Sequence, residues 1–279
     1  MSYITTPTVE KKQAVKLYYK DFGEGQPVIL VHGWPLSHRM WEYQVDDLVN
    51  AGYRVISYDR RGFGKSSQPW NGYTYQDFAD DLYEVICSLE LSNVILVGFS
   101  MGGGELATYV EKYGTSKLSK LVFLSSVAPY MLKTDDNPEG VDEQVFEDMK
   151  AGIAEDRAGF FADFGKNFVN LDKNKDRTSK AQVDINWYIS CRASRKGTLD
   201  CVDAFGKTDL REGCKQIDIP TLVVHGDDDA IVPFEVSGKR AATLIPNAEL
   251  QVIKGAPHGL TFTHNKELNP ILIEFFNKD

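Results

Sequence analysis

Gly98-Phe99-Ser100-Met101-Gly102 is the stretch of this chain whose residue types could do covalent chemistry. A serine hydroxyl is a poor nucleophile until a base takes its proton. A reactive serine therefore needs a histidine, an acid to orient it, and donors for the oxyanion that develops during attack. The pentapeptide follows an apolar run, Asn93 to Val97, and precedes a helix-period set, Leu106, Tyr109, Val110 and Tyr113. Strand, sharp turn and helix is the context that holds a serine exposed at the edge of a sheet. Gly98 and Gly102 meet the steric demand of that turn, and Met101 N–H falls at the positively polarised helix start as one oxyanion donor.

The base should stand on a loop at the same edge of the sheet. His258 is favoured, because Gly255-Ala256-Pro257-His258-Gly259 lies just past the last expected strand and small residues can shape that loop closely. His225 ends a strand but is followed by Gly226 and an acidic turn. His264 lies in a polar stretch before the last helix, His38 near a helix start, and His32 just ahead of the first sheet loop. The orienting acid should follow the penultimate strand, where Asp227, Asp228 and Asp229 stand together. A solvated turn is the plain reading of such a triplet, and chain geometry does not separate its members. Asp229 has the midway place from which a side chain can turn inward to hold His258 Nδ1–H. The second oxyanion donor should come from His32-Gly33-Trp34-Pro35. Proline has no N–H, so Trp34 is the candidate, and one such donor is typically worth about 2.7–4 kcal/mol. The order Ser, Asp, His is that of α/β hydrolases.

The elements that must carry these residues come from periodicity. Ala14 to Tyr19, Val28 to Val31, Tyr53 to Tyr58, Asn93 to Val97, Leu121 to Leu124, Thr221 to Val224 and Glu249 to Ile253 read as strands. Helices are expected over Trp41 to Asn50, after a capping box at Thr74 and Asp77, after Ser100 as far as an αL cap at Gly114, over Val236 to Leu244, and over Leu268 to Phe276. Alternating strands and helices imply a mainly parallel sheet covered on both faces. From residue 127 to 214 strand signals vanish and helix-period sets such as Val145, Met149 and Ile153 appear. The expected division is therefore a core of 1–126 and 215–279 with a helical cap of 127–214.

Composition narrows the function classes. At 279 residues and a net charge of −9 the chain suits one large domain and does not favour nucleic acid or an anionic membrane as partner. Met1 to Lys12 has no apolar core of a secretory signal, and no apolar run approaches a membrane span, so a cytoplasmic location is the expectation. Cys87, Cys191, Cys201 and Cys214 form no C-x-x-C pair and read as inert thiols, with no metal site implied. Gly62-Phe63-Gly64-Lys65-Ser66 looks like a phosphate loop, but a P-loop needs glycine where Asp59 stands and a dinucleotide fingerprint needs it at Ser67.

The blocks beginning at His32 (HGWPLS), Tyr58 (YDRRGFGKSS), Gly98 (GFSMGGGE), His225 (HGDDDAIVP) and Gly255 (GAPHG) occur in register. Together they resemble the cofactor-free bacterial haloperoxidases, also called non-heme chloroperoxidases, perhydrolases or aryl esterases. The resemblance runs from about residue 14 to the C-terminus. It implies an eight-stranded α/β-hydrolase core with a helical cap, no cofactor, and a triad of Ser100, Asp229 and His258, which singles Asp229 out of its triplet. It also implies an acyl-enzyme formed from a small carboxylic or aryl ester, released by water as an acid or by hydrogen peroxide as a peracid that oxidises halide in solution. Trp34 followed by Pro35 looks like the perhydrolase form of the loop, with the Pro35 carbonyl offered to peroxide. Candidate pocket walls are Trp34, Pro35, Phe99, Val127, Tyr130, Phe161, Phe164 and Ile231. Multimers are common in that family, so a homo-oligomer is an expectation. Lactonase, amidase (including γ-lactamase) and C–C hydrolase chemistry use the same triad, and a hydrolase-fold receptor would keep the same pocket without turnover. Serine at position 100 argues against an epoxide hydrolase or dehalogenase, which carry aspartate there.

Overall fold

The computed structural model describes residues 2–7 and 14–278. Among them eight strands form one sheet: β1 (Ser2–Thr5), β2 (Lys16–Phe22), β3 (Pro27–Val31), β4 (Arg54–Tyr58), β5 (Val94–Phe99), β6 (Leu118–Leu124), β7 (Thr221–Gly226) and β8 (Ala248–Ile253). Their order is β1-β2-β4-β3-β5-β6-β7-β8. β2 is antiparallel to both β1 and β4, and every other pairing is parallel.

The central strands are buried on both faces, and their alternation shows how the two layers form. Ile29 and Val31 of β3, with Val94 and Leu96 of β5, join one apolar cluster, whereas Val28, Leu30, Ile95 and Val97 join another. α1 (Glu42–Asn50) comes after a 3₁₀ turn at His38–Trp41 and puts Leu48 into the second cluster. α2 (Tyr75–Ser88) and α3 (Met101–Tyr113) cover the first, through Phe78, Leu82, Leu106 and Val110. The capping box is present: Thr74 Oγ1 accepts the Asp77 N–H, and Asp77 accepts the Thr74 N–H.

Between β6 and β7 the chain runs through α4 (Glu143–Phe168), α5 (Lys180–Cys191), α6 (Arg195–Lys207) and α7 (Arg211–Lys215). α4 is broken at Asp156 (φ −141°, ψ 88°), whose Oδ1 accepts the Gly159 N–H at 3.0 Å and so caps the second half. Then come α8 (Gly238–Leu244), α9 (Leu260–Thr263) and α10 (Asn265–Phe276), the last adding Leu272 and Phe275 to the second cluster.

The sequence expectations differ from this in small, explicable ways. β1 has no counterpart among the expected strands, because a four-residue edge strand that buries only Ile4 has almost no pattern to read. Val236 belongs to a 3₁₀ turn at Phe234–Val236, so α8 starts two residues later than expected. Gly114 has positive φ (69°) and its N–H still bonds the Val110 carbonyl, but ψ of −167° leads the chain away extended rather than through an αL cap.

Candidate active site

Ser100 sits at the turn from β5 into α3 with φ 54° and ψ −119°, a conformation that costs of order 1–3 kcal/mol for a residue with a side chain. Its N–H donates to the Leu124 carbonyl, and its own carbonyl accepts from Gly103 and Val127. A Cβ on Gly98 would lie 2.7 Å from the Gly102 carbonyl oxygen, and one on Gly102 only 2.4 Å from that of Val31. Both obstacles are backbone, so the two flanking glycines let strand and helix approach closely enough to make the turn.

His258 arrives from the loop after β8 and is buried between the rings of Phe99 and Phe168. Its Nε2 is 2.9 Å from Ser100 Oγ and its Nδ1 is 2.7 Å from Asp229 Oδ2. A carboxylate can only accept, so Nδ1 carries the proton and Nε2 is left to accept from the serine hydroxyl. Asp229 Oδ1 accepts from the Ile231 and Val232 N–H groups at 3.0 and 2.8 Å. Burial works against the charge on Asp229, but His258 and the hydrogen bonds from His225 and His258 hold its carboxyl well below the usual carboxylate range.

Three-dimensional partners separate the aspartate triplet that chain geometry could not. Asp227 Oδ1 accepts the Gly255 N–H and so ties the acid loop to the histidine loop. Asp228 takes Asn170 Nδ2–H at 2.6 Å and Lys173 at 2.7 Å, tying the same loop to the helical segment. Asp229 alone of the three points at His258. A second histidine is also involved, with no signal for it in any sequence pattern: His225 Nε2 donates to the Val232 carbonyl at 2.9 Å and lies 3.2 Å from Asp229 Oδ2.

The Trp34 and Met101 N–H groups, the two proposed oxyanion donors, have no acceptor among the described residues. The loop carrying Trp34 is fixed from below. Arg60 donates from its backbone N–H to His32 Nε2 at 3.0 Å and from Nη2 to the His32 carbonyl at 2.9 Å. Arg60 Nε in turn meets Glu105 of α3 at 2.7 Å, and Tyr58 Oη also bonds Glu105. Burial, then the Arg60 charge, draws the His32 pKa down to about 3, so its imidazole is neutral and serves as a fixed acceptor. Burial likewise pulls Arg60 down to about 10 and pushes the Glu105 carboxyl well up.

Beside Ser100 and His258 is an apolar cavity of about 60 Å³. Of the expected wall residues, Trp34, Val127, Phe164 and Ile231 line it. Phe99 does not: it is fully buried beneath the His258 ring, with centroids 4.9 Å apart. Phe161 stands behind Trp34, their rings 5.7 Å apart, and Tyr130 lies under the Arg211 guanidinium, so neither reaches the cavity. Pro35 is buried in the turn closed by Leu36 N–H and the Gly33 carbonyl, also off the cavity wall. The remaining walls, Met131, Val145, Met149 and Phe205 among them, are absent from the sequence-based set. Trp34 is held over the cavity by Nε1–H donation to the Thr198 carbonyl at 3.1 Å.

A mainly parallel eight-stranded sheet with a serine after β5, an acid after β7 and a histidine after β8 defines an α/β hydrolase. The known proteins it matches agree: a family model described as alpha/beta hydrolase fold matches residues 26–265. A non-heme chloroperoxidase of Kitasatospora aureofaciens is 43% identical over 274 residues, covering 98% of this chain and 100% of that one. A bifunctional esterase/perhydrolase of Acinetobacter calcoaceticus is 37% identical over 278 residues, 99% of each chain. The crystal structure of a bromoperoxidase from Bacillus anthracis superposes with a TM-score of 0.95 at 51% identity, covering 99% and 100% of the two chains. The chain belongs to the α/β-hydrolase family, within its branch of non-heme chloroperoxidases and esterase/perhydrolases.

Proposed function

We propose that the protein is a serine acyl-transfer hydrolase of small, apolar carboxylic esters, aryl esters included, that passes the acyl group to water or to hydrogen peroxide. Ser100 Oγ attacks the ester carbonyl as His258 Nε2 takes its proton, and Asp229 stabilises the imidazolium that results. Trp34 and Met101 N–H groups receive the oxyanion. His258 then gives its proton to the leaving alkoxide, and the acyl-enzyme remains on Ser100. Water deprotonated by His258 completes hydrolysis to the acid, whereas hydrogen peroxide in the same position gives the peracid, which can oxidise halide outside the site. Residues 127–214 act as a cap whose side chains set which acyl group fits. The largely apolar cavity favours short apolar acyl groups over charged ones.

The observation that carries this reading is the continuous relay from Ser100 Oγ to His258 at 2.9 Å and on to Asp229 at 2.7 Å, alongside two N–H groups that have no acceptor among the described residues. Replacing Ser100 with Ala tests it: by the precedent of a triad protease, p-nitrophenyl acetate turnover should fall by about 10⁶ in kcat. Activity surviving within about tenfold would mean another nucleophile. The peroxide branch is tested by the ratio of peracid formation to hydrolysis in Pro35→Leu, where an unchanged ratio removes any role for the Pro35 carbonyl.

A further inference from the structure

A second hollow, of about 340 Å³, is bounded by residues 37–39, Gly64 and Lys65, and by Tyr188, Ile189 and Arg192 at the end of α5. That volume falls in the range of small-ligand sites, about 300–1,000 Å³. Three of its lining side chains are cations, Arg39, Lys65 and Arg192, and none has an ion-pair partner among the described residues. This is unusual in a chain of net charge −9, where carboxylates are plentiful. The contrast with another hollow, of about 400 Å³ beside Tyr73, is direct. There Asp200 is met by Lys196, and Asp203 by Lys150 and Lys207.

Two of the three cations are held by neutral groups. Arg192 Nη1 donates to Tyr188 Oη at 3.1 Å with its guanidinium 5.7 Å from that ring, and Lys65 Nζ stands 4.7 Å from the Tyr18 ring. Such contacts position a cation without neutralising it, so its field remains available to an anion. No carboxylate is among the described residues that line the hollow, and Asp59 behind it is fully buried and already accepts from His38 N–H, His38 Nδ1 and Lys65 N–H. The lining side chains therefore carry three cations and no acid. Guanidinium groups match the oxygens of phosphate or carboxylate in paired hydrogen bonds, while Tyr188 and Ile189 present apolar surface.

We propose that this hollow is a binding site, separate from the Ser100 cavity, for a small organic dianion with an apolar or aromatic body, of which phosphate monoesters and dicarboxylates are the two sources. Such a ligand touches the loop after β4, the turn at His38 and α5 at once. It therefore ties the helical segment to the strand-end loops, four residues along the chain from Trp34. The loop at Gly62–Ser66 fails as a nucleotide fold motif, yet its lysine still serves an anion here through its side chain.

Isothermal titration of the intact protein with phenyl phosphate and with phthalate, at low and at physiological salt, tests this, with benzyl alcohol as the neutral control. Saturable binding of at least one dianion is expected, weakened by salt and weakened about tenfold or more by Arg192→Glu and by Lys65→Glu. Which dianion binds more tightly distinguishes the two sources. Both variants should keep p-nitrophenyl acetate turnover, which establishes that they are folded. Affinity unchanged in the variants, equal binding of benzyl alcohol, or no saturable binding of either dianion would overturn the proposal. Binding lost only when the Ser100 cavity is filled by a covalent sulfonyl group would overturn it as well, by placing the ligand there instead.

Discussion

Asp229→Asn changes one charge and almost no shape, and the surroundings of that side chain decide its effect on catalysis. The two carboxylate oxygens have separate duties: Oδ1 accepts from Ile231 and Val232 N–H at 3.0 and 2.8 Å, and Oδ2 accepts from His258 Nδ1 at 2.7 Å with His225 Nε2 3.2 Å away. An asparagine has only one acceptor oxygen. Turned toward the backbone, it keeps two hydrogen bonds and sets its NH₂ against the imidazole. Turned the other way, it would aim NH₂ at two backbone N–H groups that have no alternative protonation state. The first orientation wins, and His258 must then accept at Nδ1 and carry its proton on Nε2, facing Ser100 Oγ. An imidazole protonated there cannot take the serine proton. The same change in a triad protease lowers kcat about 10⁴-fold, which at about 1.36 kcal/mol per factor of ten is about 5.4 kcal/mol of lost transition-state stabilisation. KM should stay near its original value, because Asp229 lies behind His258 and does not line the cavity. Steady-state turnover of p-nitrophenyl acetate reads the loss, and stopped-flow measurement should show slowed acylation with no burst. A fall of less than about tenfold, with the protein folded, would refute the tautomer argument and leave Asp229 as mere loop scaffolding.

Glu105→Gln weakens the buried acceptor shared by Arg60 Nε and Tyr58 Oη, and the denaturation midpoint should fall by an amount equivalent to about 1–3 kcal/mol, while Tyr58→Phe costs less. His32 is neutral in the fold, with a pKa of about 3, but protonates near 6.5 when the chain unfolds. The unfolded state therefore binds more protons in that window, so the stability this group contributes is complete above pH 6.5 and lost as pH falls toward 3, at up to about 1.4 kcal/mol per pH unit. Urea unfolding at several pH values checks the slope, and an imidazole NMR signal for His32 that titrates above about pH 5 would contradict it. Asp229, held below its ordinary range, adds a loss of the same sign further into acid, below the unfolded carboxyl value of 3.8. Met149→Ala removes a wall of the cavity beside Ser100, and the kcat/KM ratio of p-nitrophenyl butyrate to acetate should rise about tenfold, the scale of small changes in apolar pockets.

Legibility in the sequence divides along a physical line. Ser100, His258 and Trp34 stand out because their requirements are local: glycines at fixed offsets, a strand before, a helix after or a proline that disqualifies its neighbour. The members of the aspartate triplet differ only in what meets them across the fold, Gly255, Asn170 with Lys173, and His258. Periodicity carries no information about that, and only the family resemblance points to Asp229 firmly. The same limit explains His225, whose approach to Asp229 depends on how the loop folds back onto its own strand. The cavity walls are the least legible part. α4 and α6 place apolar residues against Trp34, against each other and into the cavity, and all three faces look alike in sequence. Phe161 and Met149 illustrate the ambiguity: the aromatic ring expected at the cavity backs Trp34, and a flexible methionine takes the wall instead.

The proposed reacting groups come from loops at the ends of β3, β5, β7 and β8, while most of the cavity wall comes from residues 131–205. The two halves of the problem therefore sit on different parts of the chain and can change separately. A lineage can exchange one acyl preference for another by drift in the helices, with the proton relay left alone. The reverse trade is closed, because Gly98 and Gly102 have backbone against them where any side chain would go. Diversity among relatives of this chain should therefore concentrate in what the enzyme accepts rather than in how it reacts.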